Sequence, residues 1–220
     1  MSEGTDNALL ERFEQEVWSK VPHLEEGSET KVVNATPLVD MTADFKECAK
    51  TVFKLDLDNA DLKVFGKMDS TLLTGSIKVR PAANIIHDAI VTGKLKSGQT
   101  VIEATSGNFG IALGLLSKLG LNVIALVSRK LQEGVFEELR NGNTRTIDLD
   151  MDICPAPGME GKQDLLVAKA SAANIRSQLS NLGFETQVKF DKHISEIESL
   201  LAKQDIINLA KFLAKSYGFF

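Results

Sequence analysis

Thr100-Val101-Ile102-Glu103-Ala104-Thr105-Ser106-Gly107-Asn108-Phe109-Gly110-Ile111-Ala112-Leu113-Gly114-Leu115-Leu116 decides the fold. Its first five residues form a short, mainly apolar run, the next four a polar turn, and from Ile111 through Leu115, Leu116 and Leu119 the apolar positions recur at helical spacing up to Gly120. The same alternation continues downstream. Asn122–Val127 reads as a second strand, Gln132–Arg140 as a helix and Arg145–Leu149 as a third strand. Strands joined by helices pair in parallel, because the helix is the crossover that returns the chain to the same end of the sheet. The middle of the chain is therefore α/β.

Working outward, Pro81 suits a first helical turn, Ile85, Ile86, Ala89 and Ile90 share a face, and Gly93 is a stop. Leu9, Leu10, Phe13 and Val17 predict a helix over 8–20 that ends before Pro22. Phe53, Leu55 and Leu57 alternate with Lys54, Asp56 and Asp58, which predicts a half-buried strand paired with 62–67. On the other side, Cys154-Pro155-Ala156-Pro157-Gly158 reads as a loop and Asp164–Leu182 as a long helix closed by Gly183. Gln187–Phe190 is a candidate strand. Ile194, Ile197, Leu200 and Leu201, then Ile206, Ile207, Leu209, Ala210 and Leu213, predict one or two terminal helices.

Charge narrows the partners. With 25 Lys plus Arg against 30 Asp plus Glu, the net charge is 25 − 30 = −5. No basic run offsets it, so neither nucleic acid nor an anionic membrane surface is an expected partner. No apolar stretch approaches the roughly 18 residues of a membrane span, and the polar, acidic start of the chain is unlike a secretory leader, so the reading is cytoplasmic. Cys48 and Cys154 form no CxxC and read as free thiols, and the sequon at Asn34-Ala35-Thr36 has no role in that compartment.

Several signatures fail. Gly93–Thr100 mimics a phosphate loop but lacks its lysine, His23, His87 and His193 are too isolated for a metal set, and no GxSxG elbow exists. Gly107, Gly110 and Gly114 recur at helical spacing and fit close helix packing as well as a ligand role. A nucleotide or adenosylmethionine loop at 101–110 is disfavoured because GxGxxG is not met.

Two segments carry chemistry together. Thr74-Gly75-Ser76-Ile77-Lys78-Val79-Arg80-Pro81 places Lys78 at a helix start, where dipole and burial both oppose a positive charge and favour a neutral, nucleophilic amine. Thr105-Ser106-Gly107-Asn108, at a strand's C-terminal edge, offers hydroxyls and backbone N–H groups for a carboxylate. The first suits a Schiff base and the second an amino-acid substrate.

On these residues the sequence resembles the fold-type II pyridoxal-phosphate enzymes, and within them the cysteine synthase and cystathionine β-synthase group. Asn34-Ala35-Thr36-Pro37-Leu38-Val39 is similar to the family's N-terminal motif, Thr74–Pro81 to its lysine motif and Glu103–Gly110 to its substrate loop. The resemblance implies that Lys78 carries pyridoxal 5′-phosphate as an internal aldimine and moves protons at the substrate's α carbon. It implies that Asn108 binds the ring's 3′ oxygen, and that Thr105, Ser106, Gly107 and Phe109 grip the substrate carboxylate. The implied reaction is β-elimination or β-replacement on serine or an activated serine through an aminoacrylate.

The implied architecture is α/β: a parallel-sheet small domain with helices on both faces, mobile, over 51–150, and a large domain made from 1–50 and a shortened 151–220. A homodimer acting on a small-molecule amino acid is expected. Leu72 and Leu73 stand where the family has Asn-Pro, Val79 replaces a common aspartate, and Phe109 replaces a small polar residue. No glycine-rich phosphate loop follows Gly183, and the family's motif with a serine or threonine for the pyridine nitrogen is not matched near the C-terminus. The alternative reading is therefore a catalytically inactive, truncated remnant or a regulatory partner subunit that retains the fold.

Overall fold

The computed structural model describes residues 4–151, 165–183 and 187–219. At its centre lie three parallel strands in the order β5 (Thr100–Ala104), β6 (Asn122–Ser128) and β7 (Arg145–Leu149). The register sets Thr100 opposite Asn122 and Ala104 opposite Leu126, then Ile124 opposite Arg145 and Ser128 opposite Leu149. The apolar run from Val123 to Val127 is what a middle strand covered on both faces requires. Val123 joins the core beneath α1 (Asn7–Glu16), α3 (Val79–Val91) and α4 (Asn108–Leu113), whereas Ala125 and Val127 pack with Phe136 and Leu139 of α5 (Glu133–Asn141). Ile124 and Leu126 point the other way. They meet α6 (Leu165–Asn181), α7 (Gln187–Ala202) and α8 (Ile206–Tyr217) through Ala168, Ile175, Phe190, Ile197, Leu209 and Leu213.

Each crossover helix ends for a local reason. Gly93, Gly120 and Gly183 all have φ between +70° and +83°, the left-handed conformation that closes a helix at little cost for glycine. α4 runs on as a tighter 3-10 helix, Gly114–Leu119. Its last carbonyls are held by Arg12 of α1, whose guanidinium donates to the oxygen of Lys118 at 2.8 Å and of Leu119 at 3.3 Å. Strand β7 has one open edge. There the Gln178 amide both accepts from the Asp148 N–H (2.9 Å) and donates to the Asp148 carbonyl (3.2 Å), standing in for a neighbouring strand.

The N-terminal part adds two short antiparallel ladders: β1 (His23–Leu24) with β2 (Val32–Val33), and β3 (Leu38–Asp40) with β4 (Phe65–Lys67). α2 (Thr42–Phe53) lies between β3 and β4 in sequence. This corrects two expectations. No strand runs from Phe53 to Leu57: Phe53 ends a helix, Lys54 closes it at φ 58°, and Leu55 donates back to the Ala49 carbonyl. The partner of Phe65–Lys67 is instead Leu38–Asp40, from the segment similar to the family's N-terminal motif.

Two further corrections concern helix faces. Ile85 is half exposed, and the buried stripe of α3 runs through Val79, Ala82, Ala83, Ile86, Ala89 and Ile90. Gln187–Phe190 begins α7 and is not a strand; Phe190 is fully buried against the sheet's helical cover. The loop expected at 154–158 lies outside the described residues. The boundary drawn at residue 150 falls between β7 and helices that share one hydrophobic core with it.

Replacing Leu126, fully buried at the centre of the sheet, by alanine is expected to cost about 2–5 kcal/mol, against less than about 0.5 kcal/mol for Ile207→Ala on the exposed side of α8. Urea unfolding of both variants checks this, and equal losses would contradict the layered core.

Candidate active site

Lys78 ends the loop that follows the buried Leu72. Gly75, at φ +65°, donates to the Leu72 carbonyl at 2.7 Å, and the Lys78 N–H donates to Ser76 Oγ at 3.3 Å. This turn sets Lys78 immediately before α3, whose first turn contains Pro81, where a missing N–H goes unnoticed. The Lys78 side chain is exposed. The burial that the sequence argument expects at Lys78 is therefore not found.

Two groups that sequence reasoning missed secure this loop. Arg80 donates to Thr36 Oγ1 at 2.6 Å and forms a half-buried ion pair with Asp69. Thr36 belongs to the N-terminal motif, so one guanidinium fastens that segment to the lysine helix. A legible signal existed: an arginine in a helix's first turn opposes the dipole and needs a carboxylate nearby.

The second segment leaves β5 through one more ladder bond, Thr105 N–H to the Leu126 carbonyl at 3.0 Å. Thr105 is then buried, and its Oγ1 accepts from the N–H groups of Gly107 (3.2 Å) and Gly110 (3.1 Å). Gly107 holds φ +129°, and a Cβ there would lie 2.7 Å from a Val135 methyl. A Cβ on Gly110 would lie 2.7 Å from Thr105 Cγ2. The glycine spacing is therefore explained by close packing.

Thr105 Oγ1 accepts from the Gly107 and Gly110 N–H groups, which engages both amides inside the loop, while neither bond uses the hydrogen of the Thr105 hydroxyl. Phe109 is half-buried and packs against the core shared by α1, α3 and α4. Ser106 and Asn108 are exposed. The two segments meet through their helices: Val79, next to Lys78, and Ala83 of α3 line one small internal space with Ala112 of α4 and Leu115 and Leu116 beyond it.

Glu103, two residues before Thr105, is the perturbed titratable group nearest the loop. Burial pushes its carboxyl up, an accepted bond from the Ala104 N–H and the nearby Lys211 ammonium acting in the opposite sense. Elsewhere, His23 and His87 each stack on Trp18 with ring centroids 4.3 Å apart, and His193 meets Phe212 edge-on. Among the described residues no group of His, Cys, Asp or Glu is arranged to hold a metal ion, and no helix is long and apolar enough to cross a membrane.

Thr105→Val removes the acceptor for two buried amides and is expected to cost about 1–3 kcal/mol, with faster hydrogen exchange at Gly107 and Gly110, while Thr105→Ser keeps both. Equal behaviour of the two variants would contradict the loop's construction. Glu103 supplies a pH test. With its folded pKa raised, its contribution to stability is present below the unfolded pKa and lost as pH rises through the folded one, so Glu103→Gln is expected to gain on the parent as pH rises above the ordinary glutamate value of 4.5. Thermal melts across that window check the sign.

Comparison with known proteins gives the chain a family. The family described as pyridoxal-phosphate dependent enzyme matches residues 33–187. Cysteine synthase of Aquifex aeolicus (strain VF5) is 39% identical over 94 residues, 42% of this chain and 26% of that protein. Cysteine synthase B of Salmonella typhimurium is 32% identical over 116 residues, 52% of this chain and 37% of its own. A solved O-ureido-L-serine synthase superposes with a TM-score of 0.43 at 21% identity, covering 68% of this chain and 48% of its own. The matched segments thus span only about a quarter to two fifths of the curated relatives' length.

Proposed function

The chain belongs to the pyridoxal-phosphate dependent enzyme family, and from that premise we propose that it catalyses β-elimination or β-replacement on serine or an activated serine. What supports this reading is the family match, which spans both the lysine segment and the Thr105–Asn108 loop, together with the packing of α3, which follows Lys78, against α4, which starts at Asn108. The similarity to cysteine synthases supports the substrate class.

The residues present fit pyridoxal phosphate at its aldehyde and ring. Lys78 offers a primary amine that makes no ion pair among the described residues, and Asn108 a side-chain amide for the ring's 3′ oxygen. Bound there, the cofactor supplies an electron sink for the pair left at the substrate's α carbon. Lys78 takes the α proton, and the leaving group departs from the β carbon with its bonding electrons. Ser106 and the first backbone amides of α4 hold the substrate carboxylate, at the end of the helix that favours an anion. Thr105 and Gly107 keep that loop in shape. A nucleophile then adds at the β carbon, or water releases pyruvate and ammonia. In this reading residues 51–150 close over the substrate, carrying with them the helices α6–α8 that share their sheet, and the working unit is a homodimer.

Incubation of the purified chain with pyridoxal phosphate, followed by borohydride reduction and peptide mapping, is expected to give a visible absorption band and a single modified peptide containing Lys78. Lys78→Ala should lose both. A folded chain without colour, or with lysines labelled indifferently and unchanged in the variant, would overturn the assignment.

A further inference from the structure

Lys78 sits between two residues in opposite surroundings: Ile77 before it is exposed, and Val79 after it is buried where α3 meets α4. The turn that delivers it is loosely bonded. The N–H groups of Lys78 and Val79 each reach Ser76 only at 3.3 Å, no side chain caps α3, and the left-handed Gly75 stands just upstream. A turn bonded in this way leaves the backbone at Lys78 free to pivot unless a tertiary contact fixes it.

Arg80 makes that contact. One nitrogen of its guanidinium, Nη2, donates both to Thr36 Oγ1 at 2.6 Å and to a carboxylate oxygen of Asp69, and the arginine and aspartate side chains are only 25% and 27% exposed. The short ladder sets these two acceptors side by side. Thr36 precedes β3, Asp69 follows β4 in the 3-10 turn Asp69–Thr71, and the Met68 N–H donates to the Pro37 carbonyl at 2.9 Å. Neither acceptor belongs to α3. An arginine in a first helical turn works against the helix dipole, so helix stability alone does not select it there. A largely desolvated charge-assisted bond shared between two acceptors holds geometry better than an exposed ion pair does.

We propose that Arg80 is the positioning residue for Lys78, clamping the head of α3 to the β3–β4 ladder so that the amine is presented toward Asn108 at the head of α4. The inference rests on Lys78 being the cofactor lysine. Val79 anchors the turn on the core side and Arg80 on the ladder side, so the backbone at Lys78 is held from both directions and its flexible four-carbon stem supplies the remaining reach. Without the clamp the amine stays exposed and reactive but loses its direction.

Two labels on the whole chain separate reactivity from direction. Trace acetylation by acetic anhydride reads the Lys78 amine with no demand on orientation, whereas pyridoxal phosphate fixed by borohydride reads its capture at a formed site, both quantified on the Lys78 peptide. Arg80→Met and Asp69→Asn are each expected to slow capture by about tenfold, the double variant to lose no more than either single one, and acetylation to stay within about twofold of the parent. Thr36→Val, which keeps the ion pair, is expected to slow capture by about threefold and carries the test if circular dichroism shows Arg80→Met unfolded. Capture equal to the parent's in the folded variants would overturn the clamp, as would losses that add in the double variant or acetylation that falls in step with capture. A parent chain in which Lys78 is never captured fails differently: it overturns the cofactor reading, and this proposal with it.

Discussion

Everything else in this molecule hangs on the parallel pairing of β6 with strands on both sides. A strand that is hydrogen-bonded along both edges and apolar on both faces must be covered twice, so one helical layer packs against Val123, Ala125 and Val127 and another against Ile124 and Leu126. Parallel pairing also carries a directional consequence. All three strands end at the same edge of the sheet, and β5 leaves that edge through Thr105–Asn108. Open α/β sheets bind ligands beyond the carboxyl ends of their strands because loops there are free to vary while the sheet holds their ends fixed.

The loop is then set by a few short contacts. One threonine hydroxyl gathers two backbone amides, one glycine adopts a φ that a side chain would oppose, and the outcome is a strand-to-helix turn with Ser106 and Asn108 on the outside. A comparable economy holds the lysine segment. Arg80 pins Thr36 and Asp69 beside the start of α3, so the N-terminal motif and the lysine motif, 44 positions apart between Thr36 and Arg80, act as one structural piece. The residues most visible as a motif therefore divide into those that can face a ligand and those that shape the backbone for them.

Sequence reading succeeded where burial is two-sided and failed where it is not. Arg145–Leu149 matched its strand residue for residue, and Gly93, Gly120 and Gly183 marked helix ends, because close packing leaves few alternatives there. α2 was missed because much of its apolar surface, including Phe45, Val52 and Phe53, is not buried by this chain, so no clear helical stripe stands out, while Phe53, Leu55 and Leu57 happen to alternate with charges. Its left-handed cap is Lys54, a residue type that gives no warning of positive φ. In the site, Lys78, Ser106 and Asn108 were legible as chemistry, but the inward turn of Thr105 and the core packing of Phe109 depend on tertiary neighbours that spacing does not reveal.

The unity of the lysine segment and the Thr105–Asn108 loop as one cofactor site is the point on which the functional reading stands. The direct measurement is an amide NMR titration of the isotope-labelled chain with pyridoxal phosphate. If the two segments form one site, resonances of Ser76–Val79 and of Ser106–Phe109 shift together and saturate along a single binding curve. Shifts confined to one segment, or scattered over surface lysines without saturation, would contradict it.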